Sequence, residues 1–145
     1  MKIRPEKQVW DRTWSQQTKN VNISYSDKII FNYLINMINP KDNDIIELGC
    51  GRGVLSYLLS SYRPKSITLL DFSREALKKT IKLFQNIDNV NYIENDILNI
   101  EMKNKYDLVF SSGVVEHFSG VLRNKVINKH FELSNKTVAL IVPAM

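Results

Sequence analysis

The chain has 145 residues, 43% apolar and 24% charged, a composition too apolar for a disordered segment and long enough for one domain with its own core. Its longest apolar run, residues 138–142, is far below a membrane span, and residues 1–8 carry charge but no apolar leader stretch. The net charge of +5 is spread evenly, with 7 basic against 5 acidic residues over 1–45, 7 against 6 over 46–100 and 6 against 4 over 101–145, which fits a solvated surface better than a nucleic-acid-binding stripe.

In chain order, the first segment, from Pro5 to about Thr18, is predicted helical, with Pro at an early helix position and Trp10 and Trp14 four apart on one face. After the Ser24-Tyr25-Ser26 break, a second helix is expected from about Asp27 to Ile38, on the spacing of Ile30, Leu34 and Ile38. From Asp44 the pattern becomes strand, loop, helix, repeated. Strands are predicted at Asp44–Leu48, Ser66–Leu70, Val90–Ile93, Tyr106–Phe110 and Thr137–Val142. Helices are expected over Val54–Tyr62, after an N-cap at Ser73, and over Ser119–Leu133. The fourth of these five helices would bury Leu77, Ile81 and Phe84. The last would carry Leu122, Val126 and His130 on one stripe, with Ile127 and Phe131 beside it. This alternation predicts an α/β fold: a doubly wound, mostly parallel sheet of about five strands with helices on both faces. Residues 1–40 form an N-terminal helical segment and 41–145 the core, one domain overall.

The most informative stretch is Ile45-Ile46-Glu47-Leu48-Gly49-Cys50-Gly51-Arg52-Gly53-Val54, between the first strand and its helix. A doubly wound sheet places its ligand there, and glycines admit a ligand close to the backbone. Dinucleotide sites use G-x-G-x-x-G. Here the spacing is G-x-G-x-G, with an acid two places before the first glycine, which disfavours a pyrophosphate and an NAD-dependent oxidoreductase. Asp71 ends the second strand, 18 residues beyond Gly53, where a carboxylate can accept from both hydroxyls of a ribose. Phe72 can lie against an adenine ring, and Asp96 can accept from an exocyclic amine. Each also has a plainer reading: Asp71 as a helix-terminal acid, Asp96 as a turn former. Cys50, the one cysteine, excludes an intrachain disulfide and a Cys-rich zinc site, and is expected to be a tolerated small residue.

These motifs, with Tyr106-Asp107-Leu108-Val109-Phe110-Ser111-Ser112-Gly113-Val114-Val115-Glu116-His117-Phe118 after them, resemble class I S-adenosylmethionine-dependent methyltransferases over residues 27–143. The resemblance implies S-adenosylmethionine as cofactor, no metal and a methyl acceptor that is a small molecule. Nucleic-acid and protein acceptors stay open, and no membrane partner is implied. It also implies that Glu47, Gly49, Cys50 and Gly51 line the methionine end. Asp71 holds the ribose, Phe72 flanks the adenine, Asp96 and the Ile97 amide read the adenine edge, and Ser112 stands beside the methionine.

No residue is assigned as catalytic. His117 can act as a base or simply hold its loop, Trp10 and Trp14 are expected to pack rather than touch cofactor, and His130 is expected to be structural. The family carries seven strands, whereas this sequence stops after the fifth, which reads as a central strand. The chain is therefore expected to be part of a longer protein or to pair its exposed edge with another subunit. An inactive cofactor-binding module is the alternative to an enzyme, and the location is expected to be cytoplasmic.

Overall fold

The structure, a computed structural model, describes residues 6–18 and 20–143; the expected Pro5 start of the first helix lies outside them. In chain order the elements are α1 (Lys7–Gln16), α2 (Tyr25–Met37), β1 (Asp44–Leu48), α3 (Val54–Ser60), β2 (Ser66–Asp71), α4 (Arg74–Leu83), β3 (Val90–Glu94), β4 (Tyr106–Ser112), α5 (Gly120–Leu133) and β5 (Ser134–Ile141), with single 3₁₀ turns at Ile97–Asn99 and Val115–His117. The five strands form one parallel sheet in the order β3-β2-β1-β4-β5.

Side-chain alternation divides the core between the two faces of the sheet. Ile45, Leu108, Phe110 and Ala139 meet Leu34 of α2 and Leu55 and Leu59 of α3. Ile67 and Leu69, on that same face, meet Leu77 and Phe84 at α4. On the other face Ile46, Leu48, Leu70 and Val109 pack under Val126 and Leu133 of α5 and under Ile97. The chain therefore winds toward β3 on one face and, after β3, toward β5 on the other. The carboxyl ends of β1 and β4 lie where that direction reverses.

Several local expectations change. The second helix starts at Tyr25, not Asp27, because Ser24 caps it: Ser24 Oγ accepts from the Asp27 amide at 3.1 Å and Asp27 Oδ2 accepts from the Ser24 amide at 2.8 Å. On α4 the buried side is Ala76, Leu77 and Thr80, continued by Phe84, while Ile81 is 47% exposed. On α5 His130 is fully buried on its stripe, while Phe131 beside it is 61% exposed. The last strand begins at Ser134, with no loop after α5, and takes up the offset in a bulge opposite Asp107. Among the described residues it is an edge of the sheet, pairing as a strand only with β4, with only Ala139 buried. Its apolar run faces helices less completely than a central strand would.

Candidate cofactor-binding site

The glycine loop owes its shape to backbone conformation. Gly49, Gly51 and Gly53 have φ of +69°, +54° and +70°, a region costly to residues with a Cβ. Through it the loop's amides turn toward the protein: Gly49 N and Cys50 N donate to Leu70 O at 2.7 and 2.9 Å, Gly53 N to Cys50 O at 2.8 Å, and Gly51 N to Asp71 Oδ2 at 2.9 Å. Asp71 Oδ1 accepts from Ser73 N at 2.8 Å. The acid at the end of β2 thus ties its own loop to that of β1. Burial raises the Asp71 pKa, against the lowering effect of these amides.

Above this loop lies a cavity of about 290 Å³, near the lower end of ligand pockets. Eight of the nine expected cofactor residues line it: Gly49, Cys50, Gly51, Asp71, Phe72, Asp96, Ile97 and Ser112. Asp96 also caps the turn that follows it, accepting from Leu98 N at 3.0 Å. The ninth, Glu47, does not line the cavity. It shares a face of β1 with Ile45 and is buried beneath α3, where Ser56 Oγ donates to its Oε2 at 2.5 Å. Burial raises its pKa to about 8. The Cys50 thiol is also buried and its pKa pushed well up by desolvation, which makes it a poor nucleophile.

Trp10 and Trp14, expected to pack, stack on each other with centroids 6.5 Å apart and also line the cavity. The Trp14 ring lies on the glycine loop, so close that a Cβ on Gly51 would stand 2.7 Å from it. Trp10 meets the His117 ring edge-on, with centroids 5.0 Å apart. Helix α1 has no buried residue. Polar ties hold it over the site: Lys7 to Glu94 at 2.8 Å, Ser73 Oγ to Asp11 at 2.5 Å and Lys79 to Gln17 O at 2.7 Å. The four-residue spacing of the tryptophans signalled a shared face, but not what that face would meet. Asn95, Gly113, Val114 and Phe118 complete the wall and had no distinguishing signal in the sequence.

His130 is structural, as expected. Its Nδ1 lies 2.8 Å from Val126 O, an acceptor, so Nδ1 carries the proton, and Nε2 accepts from Ser111 Oγ at 2.9 Å. Burial lowers its pKa and keeps this ring neutral. Among the described residues no group of His, Cys, Asp and Glu is arranged to hold a metal, and no helix is long and apolar enough to cross a membrane.

Residues 39–144 match the family described as "Methyltransferase domain". The chain belongs to that family. Over 100 residues the domain is 30% identical to malonyl-[acyl-carrier protein] O-methyltransferase 2 of Ilyobacter polytropus, covering 68% of this chain and 38% of that protein. Among solved structures, the methyltransferase domain is similar in fold to the N-methyltransferase NodS of Bradyrhizobium japonicum in complex with S-adenosylhomocysteine. The TM-score is 0.74 at 14% identity, over 88% of this chain and 67% of that one. It is similar also to phosphoethanolamine N-methyltransferase 1 of Haemonchus contortus, with a TM-score of 0.75 at 18% identity, over 92% of this chain and 30% of that one. The chain spans under half the length of the curated methyltransferases it matches. The doubly wound parallel fold stands with these relatives, and the NodS structure holds S-adenosylhomocysteine.

Proposed function

We propose that this protein transfers the methyl group of S-adenosylmethionine to a small-molecule acceptor. When bound, the cofactor supplies an electrophilic methyl on a sulfonium, a cation next to an ammonium. The observation that carries this assignment is the charge of the cavity wall: among the described residues it holds the carboxylates of Asp71 and Asp96 and no Lys or Arg. Such a wall favours a cationic ligand and penalises a pyrophosphate. The inward-turned amides of Gly49, Cys50, Gly51 and Gly53 likewise leave those four donors engaged within the protein rather than offered to a phosphate.

In this assignment Asp71 accepts from the ribose, Phe72 lies beside the adenine, and Asp96 with Ile97 reads the adenine edge. Gly49, Cys50, Gly51 and Ser112 hold the methionine end, and Glu47 supports the loop from beneath. Aligning acceptor and methyl supplies about 7–11 kcal/mol of the barrier reduction in well-oriented reactions. A cytoplasmic location belongs to the same proposal, supported by the single cysteine kept as a free thiol. So does self-association along the outer edge of β5, supported by its pairing with β4 alone.

The deciding experiment is a melting screen with S-adenosylhomocysteine, S-adenosylmethionine and NAD. At about 100 times its Kd a true ligand adds about 2.7 kcal/mol of stability. Stabilisation by the first two and not by NAD is expected. Stabilisation by NAD alone overturns the assignment.

A further inference from the structure

Of the side chains lining this cavity, Asp71, Asp96 and Cys50 are assigned to the cofactor and His117 is not. Strand order sets β2 and β4 on opposite flanks of β1, so Asp71 and Asp96 stand on one side of the glycine loop and the segment after β4 on the other. That second side is made by Gly113, Val114, His117 and Phe118, with Trp10 and Trp14 across from them. Among these six, His117 alone has a ring nitrogen able to accept a proton. Its ring makes no hydrogen bond to protein among the described residues, and its recorded contact is the edge of Trp10 at 5.0 Å and 79°. The neighbouring Glu116 does not line the cavity, and its Oε2 is buried without a hydrogen-bond partner.

A wall of indoles, Val114 and Phe118 suits a flat, uncharged acceptor. A carboxylate acceptor would meet two acids in the cavity and, among the described residues, no lining cation. A neutral hydroxyl must lose a proton as it is methylated, and an imidazole without a protein partner can take it.

We propose that His117 receives the proton of the methyl acceptor, that Trp10 is a positioning residue for its ring, and that the acceptor is a hydroxyl on a flat apolar framework, of the phenol class. This rests on the methyltransferase assignment above. The O–H bond breaks with its electron pair left on oxygen and its proton on the imidazole. That oxygen bonds to the methyl carbon as the carbon–sulfur bond breaks with its pair kept on sulfur. The products are an aryl methyl ether, S-adenosylhomocysteine and an imidazolium, which then releases its proton to water.

Two measurements need no acceptor. Protonating an imidazole beside an indole quenches it, so acidification should quench tryptophan emission more in the full chain than in His117→Asn. Identical curves overturn the pairing. S-adenosylhomocysteine affinity of His117→Asn should stay within about two-fold of wild type by calorimetry; a ten-fold loss makes His117 a cofactor ligand and overturns the proposal.

Transfer of labelled methyl is then measured to phenol, catechol and benzoate. The phenols should be labelled and benzoate not. His117→Asn should lower kcat on the phenols at least about 100-fold, the deficit shrinking as the phenol ionises by itself at high pH. Trp10→Ala should displace the acid limb of the pH profile, and Trp10→Phe should restore it. Labelling of benzoate instead of the phenols, labelling of none, or full activity in His117→Asn each overturns the proposal. If neither protein binds S-adenosylhomocysteine, the methyltransferase assignment itself fails and takes this one with it.

Discussion

Asp71→Ala removes the joint between β2 and the glycine loop as well as the proposed ribose acceptor, and the two losses are separable. The carboxylate is 5% exposed and accepts Gly51 N at 2.9 Å and Ser73 N at 2.8 Å. A hydrogen bond to a charged group contributes about 1.5–3 kcal/mol. Deleting the acid also relieves the desolvation that raises its pKa, so the net loss is about 2–4 kcal/mol rather than the sum of two bonds. In a chain of this length that lowers the melting temperature by roughly 6–16 °C. Affinity for S-adenosylhomocysteine, measured by calorimetry on protein well below its melting point, should fall about ten- to hundred-fold. Asp71→Asn keeps an acceptor oxygen for one of the two amides and should melt between Asp71→Ala and wild type. A melting temperature within about 1 °C of wild type would refute the tying of the loop. Unchanged affinity in the folded variant would refute the ribose contact.

Gly51→Ala should be costly on two counts, about 1–2 kcal/mol for the left-handed backbone and a further cost for displacing Trp14. In a Trp14→Ala background only the backbone cost should remain, so a double-mutant cycle showing strict additivity rules out the ring contact. Glu47 has a folded pKa of about 8 against an ordinary 4.5, so the stability it confers is complete below about pH 4.5 and is lost as pH rises toward about 8. Wild type should lose on the order of 3–5 kcal/mol over that range, Glu47→Gln should lose less, and parallel pH curves would contradict the buried acid. Ser111→Ala leaves the neutral His130 Nε2 without its donor and should cost about 1–3 kcal/mol in urea unfolding, with S-adenosylhomocysteine affinity unchanged. Stability equal to wild type would show that the pair contributes nothing.

What the sequence determined by itself was local. Strand–helix alternation follows from periodicity, the Ser73 cap from a hydroxyl ahead of a helix, and the left-handed turns of the glycine loop from residues without Cβ atoms. Asp71, Phe72, Asp96 and Ile97 were legible because strand ends in a parallel sheet all open on one edge, so residues just past them must gather there. Glu47 does not gather there, because side chains alternate along β1 and a residue on the face of Ile45 goes under α3 rather than into the cavity. Ile81 is exposed although it shares the spacing of Leu77 and Phe84, because a stripe of helical spacing names a face without its exact rotation, and Thr80 takes the buried place beside Gly51 O. Only the tertiary structure decided the rest. Trp10 reaches His117, 107 residues away in sequence, because α1 is tied to Glu94 and Ser73 at the ends of β3 and β2. No local pattern encodes such a meeting, since each residue's preferences are met equally well without the other, and it exists only once the sheet has brought their loops to one edge.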